Sequence, residues 1–246
     1  MLDGRDNAPG MSHRGSSVRR RAAAVGFLFV AVGVLSITPI AAGASTSSRL
    51  AIARSINLRA ADVPGFTSHP GSGGGESPFG PQINGTCSGV VGTGHRRAAH
   101  ASSPTFMSTS GFGSEQVQSA VEIERSRDVV RHDLAVARSR HTRVCIAQVL
   151  ESLTFTEQGT QVTITHVSVT PFRVSASGTT GSFGLRVHAT VSALGIEVPF
   201  TVDEVGVAVG RDEITLTTEG VDQPFPRKTE RQLTQLLVGR ALALPH

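Results

Sequence analysis

The sequence predicts an α+β fold: an antiparallel β-sheet with helices packed on it, in one domain closed by one disulfide. Three observations predict it. From Gln161 to Glu219 the side chains alternate in character every second residue. Phe183, Leu185, Val187, Ala189 and Val191 share one side, and Arg186, His188, Thr190 and Ser192 the other, as in a sheet with one buried face. Helical periodicity is confined to the stretch after Ser126 and to the chain end, so helices are segregated from strands. Cys87 and Cys145 are the only cysteines, and an even count in an exported chain favours a disulfide over two buried free thiols.

The first 44 residues read as a signal peptide. Arg14 and the triplet Arg19, Arg20, Arg21 precede an uncharged run from Ala22 to Ser48, and Ala42-Gly-Ala44 supplies a small-residue site before Ser45. The competing reading is an uncleaved anchor through residues 22–44, since about 20 apolar residues span a bilayer. Removing this segment also removes the basic excess. Residues 1–44 hold five Arg and two Asp, and the rest of the chain 18 Lys+Arg against 17 Asp+Glu. A nearly neutral mature chain without Trp or Tyr has no electrostatic or stacking surface for nucleic acid.

Residues 45–55 read as a linker, and 56–246 as the α+β domain. Asn57 is placed to cap a helical turn that Val63-Pro-Gly65 stops. A glycine-rich loop follows at 70–81; no Gly-Lys-Ser/Thr follows it, so it is not a phosphate loop. Asn84-Gly-Thr86 matches a glycosylation sequon. Pro104–Ser108 and Val117–Ile123 read as strands around a turn at Gly111-Phe-Gly113. Ser126 caps a helix with Val130, Leu134 and Ala137 on one stripe, and a second piece from Thr142 buries Ile146, Val149, Leu150 and Leu153. Two breaks of alternation, at Thr165-His166 and Asp203-Glu204, predict β-bulges. Phe225-Pro226 opens a last helix with Leu233, Leu236, Leu237, Ala241 and Leu244 on one face. The predicted order is two strands, two helical pieces, about four hairpin strands and a final helix.

The segment Leu58-Arg-Ala-Ala-Asp-Val-Pro-Gly65, a Cys, a helix carrying a second Cys, and a strand series containing Gly210-Arg211 together resemble the exported sensor-like domains of actinobacteria. These include the extracellular part of a mycobacterial receptor Ser/Thr kinase and PsbP-like lipoproteins. The resemblance implies an antiparallel sheet flanked by helices, a cleft for a ligand and no catalytic residues. It departs in having one Cys pair, no kinase and no lipobox.

No motif in the chain assembles a chemistry. The nine His lack the spacing of a metal site, so neither a metal nor a cofactor is expected. His95, Arg96, Arg97 and His100 form a local basic patch, and Asp203-Glu204 a carboxylate pair that only a bulge would bring together. The expected function is an exported, non-enzymatic ligand-binding or sensor-like module of the cell envelope. The alternative is a structural or protein-interaction role without a small ligand. A small amphiphilic or anionic ligand would meet Arg186 and His188 on the polar strand face, with Phe106, Phe172 and Phe183 as walls.

Overall fold

A computed structural model describes residues 44–69, 86–87, 97–110, 113–157 and 160–244. The chain divides into Met1–Val32 and Gly33–His246, and every described residue belongs to the second unit. Residues 1–43 of the leader, the glycine-rich loop and the sequon's Asn84 lie outside the described residues.

The described elements begin with a helix, α1 (Ala44–Ile56), and a 3-10 turn at Ala60–Asp62. Then come strands β1 (Thr67–His69), β2 (Arg97–Ser102), β3 (Thr105–Ser110) and β4 (Gly113–Glu124). Helices α2 (Arg127–Arg138) and α3 (Arg140–Ser152) follow. Strands β5 (Thr154–Glu157), β6 (Thr160–Pro171), β7 (Gly181–Ala193), β8 (Ile196–Val209) and β9 (Asp212–Val221) complete the sheet, and α4 (Arg227–Leu242) closes the domain. The strands form one sheet in the order β1-β3-β4-β9-β8-β7-β6-β5, with β2 also on β4. Every pairing is antiparallel. The α+β class with its Cys87–Cys145 disulfide is therefore as expected.

Both faces of the sheet are covered in its middle. On one, Ala53 and Ile56 of α1 and Leu233, Leu237, Val238 and Ala241 of α4 bury Val117, Val121, Val205, Val207, Ile214 and Leu216. On the other, α2 sets Val130 and Leu134 on Ala208, and α3 sets Ile146 and Leu150 on Leu185. Ser126 and Ser139 cap these two helices by accepting from the backbone N–H of Val129 and Thr142. The final helix buries Val238 where the sequence suggested Leu236, which is 37% exposed.

The two breaks of alternation have different causes. Thr165 pairs with Thr190 and Ser168 with His188, so His166 and Val167 together oppose Ala189. His166 takes φ 53° to make this bulge, which keeps Val162, Ile164 and Val169 on one face although their numbering changes parity. At Asp203-Glu204 there is no bulge, and pairing runs unbroken from Ile196 to Ala208. The apolar phase changes there because the strand passes from one covered face to two. Phe200 and Val202 face the side of α2 and α3; Val205, Val207 and Val209 face α1 and α4.

The stretch 45–55 is not a linker. It forms most of α1, with Ala53 and Ile56 at 0% exposure. Nor does Asn57 cap the turn, since the 3-10 segment starts from Arg59, whose N–H donates to Asp62 Oδ2 at 2.7 Å. Asn57 is instead buried: its Nδ2 donates to the Ala101 carbonyl at 2.8 Å and its Oδ1 accepts from Ser119 Oγ at 2.7 Å. Arg240 of α4 completes this clasp. Its two terminal nitrogens donate to Asp62 at 2.8 and 2.7 Å, and Nη1 also reaches the Asn57 carbonyl at 2.9 Å. Burial pushes the Asp62 carboxyl up, but the bonds from Arg240 and the Arg59 backbone outweigh it and hold the pKa below its usual value.

Two substitutions test this packing. Arg240→Ala strands a largely buried Asp62, for which a loss of about 3 kcal/mol is expected, the low end of what a buried pair loses with one partner. Urea denaturation reads it, and a loss below about 1 kcal/mol, the scale of a surface pair, would contradict the clasp. At Gly206 an added Cβ would lie 1.9 Å from the Phe183 ring, which covers its cross-strand partner. Gly206→Ala should therefore cost about 1–3 kcal/mol through overpacking, and a neutral result would show that the ring is free to move.

Candidate functional site

Five residues were expected to form one site, and the structure does not bring them together. Phe106 is 1% exposed in the core under α1 and α4. Phe183 lies on the α2 and α3 side of β7, opposite to Arg186 by strand alternation. His188 Nδ1 lies 3.1 Å from Thr201 Oγ1, farther along the ladder. Arg186 binds Asp203 through both carboxylate oxygens, with Nε donating to Oδ1 at 2.6 Å and Nη2 to Oδ2. That hydrogen bonding raises the guanidinium's pKa and leaves Arg186 committed to Asp203. Of the five, Phe172 lines a cavity.

That cavity is a cleft of about 330 Å³, at the small end of the roughly 300–1,000 Å³ of small-molecule sites. One wall is the connection after β6, Phe172–Ser175, and the other is the first two turns of α4 with Arg227, Glu230, Arg231 and Thr234; Val205 of β8 also lines it. Phe172 is fixed from behind. Its N–H donates to the Gly184 carbonyl at 2.9 Å, and a Cβ at Gly184 would meet its ring at 2.7 Å. The Arg227 guanidinium stacks over the same ring, 4.4 Å from its centroid.

Glu230 is 2% exposed and joins the cleft to the buried pair behind it. Its Oε1 accepts from Arg227 at 3.5 Å, its Oε2 has no hydrogen-bond partner, and its carboxyl meets Asp203. Arg186, Asp203, Glu230 and Arg227 thus form a chain of ionisable groups from β7 through β8 to α4 and the Phe172 ring, with the two carboxyls adjacent in its middle. Burial first, then the neighbouring Asp203 carboxyl, push the Glu230 carboxyl up to about 7. Both causes penalise the ionised form.

The other sequence candidates resolve differently. Asp203 and Glu204 point to opposite faces, so they make no acid–base pair. Within the basic patch, Arg97 bonds Glu122 at 2.7 Å, with His100 4.0 Å from the same oxygen; His95 and Arg96 lie outside the described residues. Among the described residues no group of three or more His, Cys, Asp or Glu is placed to hold a metal ion. The residues that do line the cleft had a weak signal. Arg227, Glu230 and Arg231 stand at i, i+3 and i+4 of a helix start, a spacing shared with ordinary surface ion pairs.

No family model matches the chain, and no curated protein sequence matches it. Among solved structures, the fold is similar to the extracellular domain of PknH from Mycobacterium tuberculosis, over 79% of this chain and 97% of that one. The identity is 13% and the TM-score 0.46, so the likeness concerns the outline of the fold and not the cleft.

Several buried carboxyls share the upward shift of Glu230. Burial, with Asp133 and Glu122 nearby, raises Glu124 to about 7 and Glu213 to about 8, and burial alone raises Glu219 to about 7. A raised acid contributes stability that is fully present below its unfolded pKa and is lost as pH rises through the folded value. The window here runs from about 4.5 to about 8. The urea midpoint should be higher at pH 5 than at pH 8, and Glu213→Gln should flatten the difference. A midpoint that rises toward pH 8 would contradict the burial of these groups.

Proposed function

We propose that this chain is an extracytoplasmic, non-enzymatic binding module whose cleft between Phe172 and the start of α4 takes a small anionic ligand with an apolar body. The observation that carries the reading is the make-up of that cleft. Arg173, Arg227 and Arg231 surround an aromatic wall that glycine packing holds in place. Cationic groups fix the anionic end by charge-assisted hydrogen bonds, while Phe172 and Val205 offer apolar contact. Arg186 stands behind this site, holding Asp203 in place. The disulfide between Cys87 and Cys145 favours an oxidising compartment, consistent with the leader read at residues 1–44.

The test is calorimetric titration with arenesulfonates, alkyl phosphates and short-chain fatty acids. At least one class should bind saturably, and Arg227→Ala should weaken it about tenfold, the equivalent of ~1.4 kcal/mol. If no anion of any class saturates below the millimolar range, the envelope-structural reading takes its place.

A further inference from the structure

We infer that the cleft takes up its anion together with one proton, and that Glu230 is the group that holds this proton. The inference rests on the binding role proposed above and adds the regulation of the same site. Its basis is the placement of Glu230. The side chain is 2% exposed, lines the cleft and has one oxygen without a donor. It meets Asp203, both of whose oxygens are already occupied by Arg186.

The charged groups around Glu230 are Arg186 on β7, Asp203 on β8, Arg227 and Arg231 on its own helix and Arg173 on the opposite wall. Only Arg227 donates to it, at 3.5 Å, and Thr234 binds the Glu230 backbone carbonyl, not the carboxyl. Two carboxyls in contact cannot both ionise freely. A proton on the Glu230 carboxyl, donated toward Asp203, removes the like-charge contact between the two.

An anion between Phe172 and α4 would draw on Arg227, the cation that favours ionised Glu230. It would also place a negative charge beside the same carboxyl. Both effects favour the protonated form, so proton and anion each tighten the other's binding. The upward shift of Glu230 to about 7 puts this linkage in the neutral range. The proton comes from solvent, and no covalent step is involved.

Benzenesulfonate is a suitable probe because its charge is constant across the range. Calorimetry from pH 5.5 to 8.5, in buffers of differing protonation enthalpy, reads affinity and proton uptake together. Affinity should be flat below about pH 6 and fall above about pH 7, by at most tenfold per pH unit, with uptake approaching one proton per anion. Glu230→Gln should bind with no pH dependence and no uptake. As a measurement independent of that variant's folding, the Glu230 carboxyl ¹³C resonance at pH 7.5 should move toward its protonated position when benzenesulfonate is added. Equal wild-type affinity at pH 6 and pH 8, uptake retained in Glu230→Gln, or an unmoved resonance would overturn the inference and leave the cleft an anion site. Absence of benzenesulfonate binding at every pH would overturn the inference, and failure of the whole anion panel would overturn the binding role with it.

Discussion

Asp203 is 1% exposed in the middle of β8, and a charge at that depth must be answered by its neighbours. Arg186 answers it from the adjacent strand through two bonds, and Glu230 meets it from the first turn of α4. This contact ties α4 to the sheet at a polar point, where apolar packing alone would not fix the helix's rotation. It also explains why Glu230 faces inward although its neighbours Arg227 and Arg231 are exposed. The cleft is a consequence: one end of the chain of charges is buried, and the other stops at Arg227 over Phe172.

The far end of the same helix is held by different chemistry. Arg240 binds Asp62 and the carbonyl of Asn57, and Asn57 reaches β2 and β4 through Ala101 and Ser119. The segment Leu58–Gly65 therefore works as a clasp between the start of the domain and its last helix. With α4 fixed at both ends, the cleft wall that it supplies has little freedom to slide. Pre-organisation of this kind lowers the ordering cost of binding.

Much of the fold was legible because it rests on local periodicity. The β4 stripe of Val117, Ser119, Val121 and Ile123, the Ser126 cap, the Gly210 turn and the bulge at His166 all declare themselves within a dozen residues. Elements with weak periodicity were missed. Helix α1 is small-residue and serine-rich and reads as a linker, while β2 hides in an Arg/His segment. The site was less legible still. Arg186 reads as an open cation on a polar strand face, yet its partner lies 17 residues away and answers it only because β7 and β8 pair in that register. Glu230 reads as half of a surface ion pair until α4 is laid over Asp203. Strand alternation does place Phe183 and Arg186 on opposite faces, and that alone excludes a site holding both.

The proposed proton-sharing contact of Asp203 with Glu230 lies beneath the cleft and holds its α4 wall. A crystal structure of the domain at pH 6 tests this most directly, through the shortest oxygen–oxygen distance between the two carboxyls. A separation of roughly 2.5–3.0 Å, the range of an O–H···O hydrogen bond, is expected, with Arg186 still on both oxygens of Asp203. A separation beyond hydrogen-bonding range, with Glu230 turned out to solvent or to Arg231, would contradict it.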